Sequence, residues 1–286
     1  MRALLVHNPK AGVGICTADE LQESLRSAGI SLVPCDSAEQ PFPKCMSEPV
    51  DMIIAAGGDG TIAKTIRKLP DRSIPLGILP IGTANNIAHS LGIAGKPDEI
   101  IGNWSLNRTR TLDIGVVHGE WGKCSFVEAV GVGSLTKATQ EVDAALFESK
   151  NPMRKGRLAL AKQLATTQPE DTRLTIDGQE MPDDLLLLEI MNITRIGPAL
   201  DLAPAADPGD GLLDVVCVRT EQREAMLQWL EAPDHQQVPL TVHRGREVSV
   251  VWRGTPLRVD DRVLNSPKDV GRAATRIEGS VKVLLP

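Results

Sequence analysis

Gly57-Gly58-Asp59-Gly60-Thr61 is the stretch around which the chain is organised. The apolar run Met52-Ile53-Ile54-Ala55-Ala56 leads into it, with the length and character of a buried strand. A helical pattern follows, with Ile62, Thr65, Ile66 and Leu69 on one face and Pro70 as its stop. The glycines therefore sit in a strand-to-helix turn, where the lack of side chains lets a ligand approach the backbone. The start of the following helix offers unpaired N–H groups and the positive end of a dipole, which suit phosphate. Asp59 is the odd member, because a carboxylate repels phosphate unless a cation lies between them. The turn predicts a nucleotide phosphate together with Mg²⁺, an ion that keeps waters and takes few protein ligands. A plain turn is the competing reading, since glycine and aspartate are common in turns.

Outward from this turn the pattern repeats. A first strand over residues 3–7 leads to the loop Asn8-Pro9-Lys10-Ala11-Gly12-Val13-Gly14, and a strand over 76–80 leads to Ile81-Gly82-Thr83-Ala84-Asn85-Asn86. Between them Thr17-Ala18-Asp19-Glu20 starts a helix as a capping box, and 31–34 is a short strand. A helix over 86–91 closes at Gly92. Alternating strands and helices predict a doubly wound parallel sheet, which binds ligands at the carboxyl ends of its strands. Three small, polar, glycine-bearing loops leave strands at that edge. Lys10 is either a point charge for phosphate or a solvated lysine.

The pattern changes after Thr111. Strands dominate, at 112–117, 124–130, 173–176, 185–191, 212–218, 247–252, 257–259 and 281–285, with helices over 135–146, 157–165 and 221–230. The predicted fold class is α/β: an N-terminal doubly wound parallel-sheet nucleotide-binding domain (1–117), then a β-rich, β-sandwich-like second domain (118–286) whose last strand is free to return to the first. Lys150, Arg154, Lys155 and Arg157 form a basic run between two helices, either a solvated loop or a face for anionic lipid heads.

At 286 residues, 42% hydrophobic and 24% charged, the composition fits a soluble protein with a sizeable core. A net charge of −6, with three Phe, four Trp and no Tyr, argues against nucleic acid as a partner. Cys16, Cys35, Cys45, Cys124 and Cys217 are odd in number and scattered, as expected of reduced thiols in the cytoplasm. No stretch is long and apolar enough to be a transmembrane segment. A lipid substrate would be met at the inner membrane surface, by a peripheral enzyme. Homodimer formation is left open.

The pentapeptide at 57–61 resembles the nucleotide-binding signature of the diacylglycerol kinase and sphingosine kinase family, with NAD kinases as distant relatives. The loop from Asn8 to Gly12 resembles the opening motif of that family's nucleotide site. Gly82, Thr83 and Asn85 match its glycine-threonine-x-asparagine-aspartate stretch, although Asn86 replaces the final aspartate. Ala63-Lys64 stands where relatives often carry asparagine-glutamate, and Glu128 where they carry asparagine.

The family resemblance implies ATP and Mg as cofactors. It implies a nucleotide held by Asn8, Lys10, Gly12, Gly57, Gly58, Asp59, Gly60, Thr61, Gly82, Thr83 and Asn85, and a metal network through Asp59 and Asp113. Residues 202–215 resemble the family's second-domain motif, which implies a structural Mg²⁺ at the Asp210 carboxylate and the Leu212 carbonyl; a tight Asp-Gly turn is the bland alternative. Val259-Asp260-Asp261-Arg262 resembles the family's aspartate-glycine-glutamate turn. That implies Asp260 as the base for a lipid hydroxyl, working with Asp59, in a cleft between the domains. Asp261 and Arg262 depart from that pattern. The implied activity is ATP-dependent phosphorylation of a lipid, diacylglycerol first. A kinase of a soluble alcohol (NAD-kinase-like) and a nucleotide-binding module with weak catalysis are the alternatives.

Overall fold

The first strand, β1 (Arg2–His7), hydrogen-bonds in parallel to β2 (Ser31–Leu32) on one side and β3 (Met52–Gly57) on the other. Helix α1 (Ala18–Ser27) links β1 to β2. It begins where the Glu20 N–H donates to Thr17 Oγ1 at 3.2 Å and the Thr17 N–H donates to Glu20 Oε2 at 2.8 Å, and it buries Leu21 and Leu25. Helix α2 (Asp59–Lys68) leads from β3 to β4 (Leu76–Pro80), which pairs in parallel with β3 over Ile53–Leu76 to Gly57–Pro80. Every residue of β3 is buried, as a strand covered on both faces requires. The strand order β2-β1-β3-β4 reverses direction at β1, so the carboxyl ends of β1 and β3 flank the switch point of the sheet. The short helices α3 (Asn86–Ser90) and α4 (Pro97–Gly102) follow.

The structure, a computed structural model, describes residues 1–8, 11, 16–33, 49–69, 71–141, 151–169, 171–232, 238–264 and 270–286. Lys10, Gly12 and Lys150 lie outside the described residues. The chain divides into two units, Met1–Asp113 with Gly279–Pro286, and Ile114–Glu278. It leaves the first unit within β5 (Thr109–Gly119).

The second unit runs through β6 (Gly122–Phe126), β7 (Ala129–Gly133), α5 (Ser134–Glu141), α6 (Pro152–Thr166), β8 (Arg173–Ile176), β9 (Gln179–Glu180) and β10 (Leu185–Met191). A small ladder of β11 (Arg195–Ile196) and β12 (Leu200–Asp201) precedes β13 (Leu213–Arg219) and α7 (Arg223–Glu231). Then come β14 (Thr241–Gly245), β15 (Glu247–Trp252), β16 (Leu257–Val259), β17 (Arg262–Leu264) and β18 (Gly271–Leu284).

One antiparallel sheet has the order β14-β13-β10-β7-β16-β17. Its inward residues Val130, Val132, Leu188, Ile190, Val215 and Val259 share a core with Leu174, Ile176, Val248, Val250 and Trp252 of β8 and β15. The expected order of a parallel α/β sheet followed by a β-rich sandwich is what the chain builds. Val283, in the first unit, pairs with Leu76 in parallel.

Local departures from the sequence reading have identifiable causes. The strand expected over 124–130 is two strands, because the N–H groups of Val127, Glu128 and Ala129 donate to a carboxylate and not to a neighbouring strand. Arg154, Lys155 and Arg157 lie in α6 and not in a loop: Asn151 Oδ1 accepts from the Arg154 N–H at 3.0 Å and starts the helix earlier. Only the end of β18 is legible in the sequence, because its first ten residues carry a single large apolar side chain, Ile277.

Glu278, on β18, accepts from Lys123 Nζ and Arg276 at 2.5 Å each, and these two bonds hold its carboxyl down at about 2 from an ordinary 4.5. A depressed carboxyl contributes stability that is present above about 4.5 and lost as pH falls through about 2. Urea midpoints measured between those values are expected to fall less steeply for Glu278→Gln than for the parent.

Candidate active site

The turn at Gly57 is built by exclusion. A Cβ on Gly57 would lie 2.5 Å from Thr61 Cβ, and one on Gly58 would lie 3.2 Å from the Gly82 Cα. A Cβ on Gly82 would collide with the Gly58 backbone. The loops after β3 and β4 thus run backbone against backbone, joined where the Ile81 N–H donates to the Gly57 carbonyl at 3.2 Å. The glycine turn is shorter than expected: Gly58 is the N-cap of α2, and Asp59, Gly60 and Thr61 already form its first turn. Asn8, at the end of β1, joins them, its N–H donating to Ala56 O at 3.0 Å and its Nδ2 to Thr61 Oγ1 at 3.2 Å. Of the three expected loops, the structure brings together Asn8, the 57–61 turn and the 82–86 turn.

The third loop is shaped by Asn85, which holds a left-handed backbone at φ 51°. Its Oδ1 accepts from the Gly82 N–H at 2.9 Å, and its Nδ2 donates to Gly82 O at 3.0 Å and Pro80 O at 3.2 Å. Thr83, at the tip, is exposed. Asp59 links the two turns. Its Oδ1 accepts from the Ile87 N–H at 2.9 Å, and burial raises its carboxyl above the ordinary range against the pull of the Ile87, Asn86 and Asn85 amides. The hydrogen bonds to this carboxylate come from backbone amides, which carry no formal charge. An anion held in place without a counter-charge suits Mg²⁺.

Asp113 is buried at 5% exposure on β5. Asp210 is placed differently from a free ligand. Its Oδ1 accepts from the Leu212 N–H at 3.0 Å in a turn where Gly211 has φ 75°, and its other oxygen pairs with Arg244. Arg244 Nε also meets Asp214 Oδ1 at 3.2 Å; burial raises the Asp214 carboxyl, while Arg244 opposes the shift. As the group stands, Arg244 supplies the charge that a structural Mg²⁺ would bring, so the donor set does not fit a metal without displacing it. Among the described residues no group of three or more His, Cys, Asp or Glu could hold a metal ion. Glu141 is paired with Lys162 at 3.3 Å on the surface.

Asp260, in the second unit, is 3% exposed and left-handed at φ 53° between β16 and β17. Its Oδ1 accepts from Val127 N at 3.1 Å, Glu128 N at 2.8 Å and Ala129 N at 3.3 Å. Beneath the turn Arg258 meets Glu189 at 2.6 Å, a fully buried pair that the sequence reading does not anticipate. A signal for it exists: Glu189 is the one charge in Leu185-Leu186-Leu187-Leu188-Glu189-Ile190-Met191, and a lone charge in such a run needs a buried partner.

Comparison with known proteins places this geometry. Residues 2–117 match the family model of the diacylglycerol kinase catalytic domain, and residues 128–266 match that of the YegS C-terminal NAD kinase beta sandwich-like domain. The chain belongs to the diacylglycerol kinase family. A diacylglycerol kinase of Mycobacterium tuberculosis is 28% identical over 240 residues, which is 77% of this chain and 74% of that one. The crystal structure of a diacylglycerol kinase from Bacillus anthracis aligns with 100% of this chain and 97% of its own at a TM-score of 0.68 and 18% identity. An NAD kinase from Archaeoglobus fulgidus in complex with ATP aligns over 99% of this chain and 93% of its own at 0.54 and 15%. These two likenesses show the fold. Family membership supports a phosphotransferase, and both domains of the pattern are present in order.

The abutting glycine turns yield a stability test. Gly82→Ala forces a methyl into the Gly58 backbone and should cost about 1–3 kcal/mol, as overpacking does. A lowered urea midpoint, together with weaker ATP retention, is the expected readout.

Proposed function

We propose that the chain is a Mg²⁺-dependent kinase that transfers the γ-phosphoryl group of ATP to the hydroxyl of a membrane lipid, with diacylglycerol as the first acceptor. The observation that carries the reading is the Asp59 carboxylate, held by backbone amides between two turns whose Gly58 and Gly82 backbones abut, at the carboxyl edge of a parallel sheet. Family membership supports the reaction class. Among the described residues no helix is long and apolar enough to cross a membrane. The acceptor would be met at the inner membrane surface.

The chemistry asks three things of the chain: hold the triphosphate, balance its charge, and prepare the accepting oxygen. Gly57, Gly58, Gly60 and Gly82 would let the phosphates approach the backbone; Asn8, Thr61, Thr83 and Asn85 would shape the walls, with Lys10 and Gly12 contributing from the adjoining loop. Asp59, with Asp113 acting through water, would hold Mg²⁺, which supplies charge neutralisation on the triphosphate when bound. Asp260 would take the proton as the hydroxyl oxygen bonds to the γ-phosphorus and the bond from that phosphorus to the β–γ bridging oxygen breaks, releasing ADP. The amides of residues 127–129 hold that carboxylate in one orientation, as a proton acceptor requires.

ATP and Mg²⁺ supplied with diacylglycerol in mixed micelles are expected to give phosphatidic acid. Asp260→Asn should lower kcat by about 10²–10⁴-fold. Asp59→Asn keeps the hydrogen bond to Ile87 and removes a costly buried charge, so transfer should collapse while the melting temperature holds or rises. Phosphorylation of NAD with none of the lipid would overturn the acceptor assignment, and nucleotide binding without transfer to any acceptor would favour a weakly catalytic module.

A further inference from the structure

Strands β10, β7 and β16 lie side by side, and their registers put Glu189 opposite Gly131 and Gly131 opposite Arg258. The three residues form one row across the sheet. Residues directly opposite on neighbouring strands point to the same face. Glu189 and Arg258 therefore project together, with a whole strand between them, and neighbouring strands are about 4.8 Å apart. They meet because the middle residue is glycine: a Cβ on Gly131 would run into the Glu189 carboxylate. The row is buried, with Glu189 at 0% and Arg258 at 5% exposure.

The pair does more than close on itself. Arg258 Nη2 donates to Glu189 Oε2 at 2.6 Å, and its Nη1 donates to the backbone carbonyl of Asp260 at 2.7 Å. The N–H of Asp260 donates to Ala129 O at 2.9 Å, and its carboxylate takes the N–H groups of residues 127–129. The turn that carries Asp260 is thus gripped at its N–H, its carbonyl and its side chain.

A left-handed backbone at a non-glycine residue costs free energy and persists where its surroundings over-determine it. A buried ion pair adds little net stability over apolar side chains of similar size. A row on a sheet face could have been filled with valine and leucine. What such a filling would lack is a second guanidinium nitrogen to reach the Asp260 carbonyl.

We infer that Arg258, itself oriented by Glu189 across the bare backbone of Gly131, is a positioning residue that fixes the Asp260 carboxylate on the 127–129 amides. The inference rests on the reading of Asp260 as the proton acceptor, and it adds two residues to that reading. Lysine at 258 would keep a charge for Glu189 but offers one nitrogen where two are used, so it separates the pair from the grip on the turn.

The test combines kinetics with spectroscopy. Parent, Arg258→Lys, Glu189→Gln and Asp260→Asn proteins are assayed with ATP and diacylglycerol micelles, and their Val127, Glu128 and Ala129 amide resonances are followed by NMR. Misplacement by about 1 Å can cost about 10²-fold in rate, so Arg258→Lys should lower kcat by about 10–10²-fold with KM for ATP unchanged. Glu189→Gln, which retains an acceptor for Arg258, should fall between it and the parent. The three amide resonances should move in Arg258→Lys toward their positions in Asp260→Asn.

Folded Arg258→Lys with parental kcat and parental amide shifts would overturn the inference. Should Arg258→Lys not accumulate as folded protein, Glu189→Gln takes its place: lowered kcat with moved amides supports the inference, and parental values of both overturn it. If Asp260→Asn keeps parental kcat, or the parent transfers no phosphate, the kinase reading fails. The amide shifts then still decide whether Arg258 holds the turn.

Discussion

The hydrogen bond from the Ile87 N–H to Asp59 Oδ1, with that from the Ile81 N–H to the Gly57 carbonyl, fastens the loop after β4 to the turn after β3. The arrangement of the first unit follows from it. The carboxylate must be drawn out of water to reach the amides of Asn85, Asn86 and Ile87, and that burial works against its charge. The turn tolerates this because Gly58 and Gly82 let the two backbones touch, and because Asn85 ties its own loop with three side-chain bonds. Such a site is costly for the fold and suited to a ligand that brings positive charge. If Asp59 holds the metal as proposed, stability and activity pull in opposite directions there.

The second unit solves a different problem with the same material. Asp260 also gives its carboxylate to backbone N–H groups, but those groups come from the break between β6 and β7 and are matched by a guanidinium under the turn. Both acids accept hydrogen bonds from backbone donors. A backbone donor is lost only to proline, which makes it a durable anchor for a group whose direction matters.

How much of this was legible in the sequence depended on range. The strands at 52–56 and 76–80, the glycine turns and the capping box at Thr17 rest on local pattern, and the chain builds each of them. The family resemblance read from 57–61 and 202–215 is met by both domain models. What escaped depends on register between distant strands. Glu189 meets Arg258 only because β10, β7 and β16 are aligned, and Asp210 meets Arg244 only because β14 lies against β13. No periodicity encodes those encounters. The early part of β18 escaped for a related reason: its arginines and alanines carry no clear strand pattern until the strand beside them is known.

The path of β18 has a consequence for how the chain is made. The strand starts in the second unit and ends in the first, where Val283 lies beside Leu76 and Lys282 Nζ donates to Thr111 Oγ1 at 2.7 Å. While the intervening unit is being synthesised on the ribosome, the flank of β4 that pairs with Val283 lacks that partner, because residues 279–286 follow that unit. An open strand flank invites pairing with other chains. The first unit thus completes its sheet only after the second has been made, although it is begun first, and a nascent chain stalled within the second unit carries an unfinished sheet.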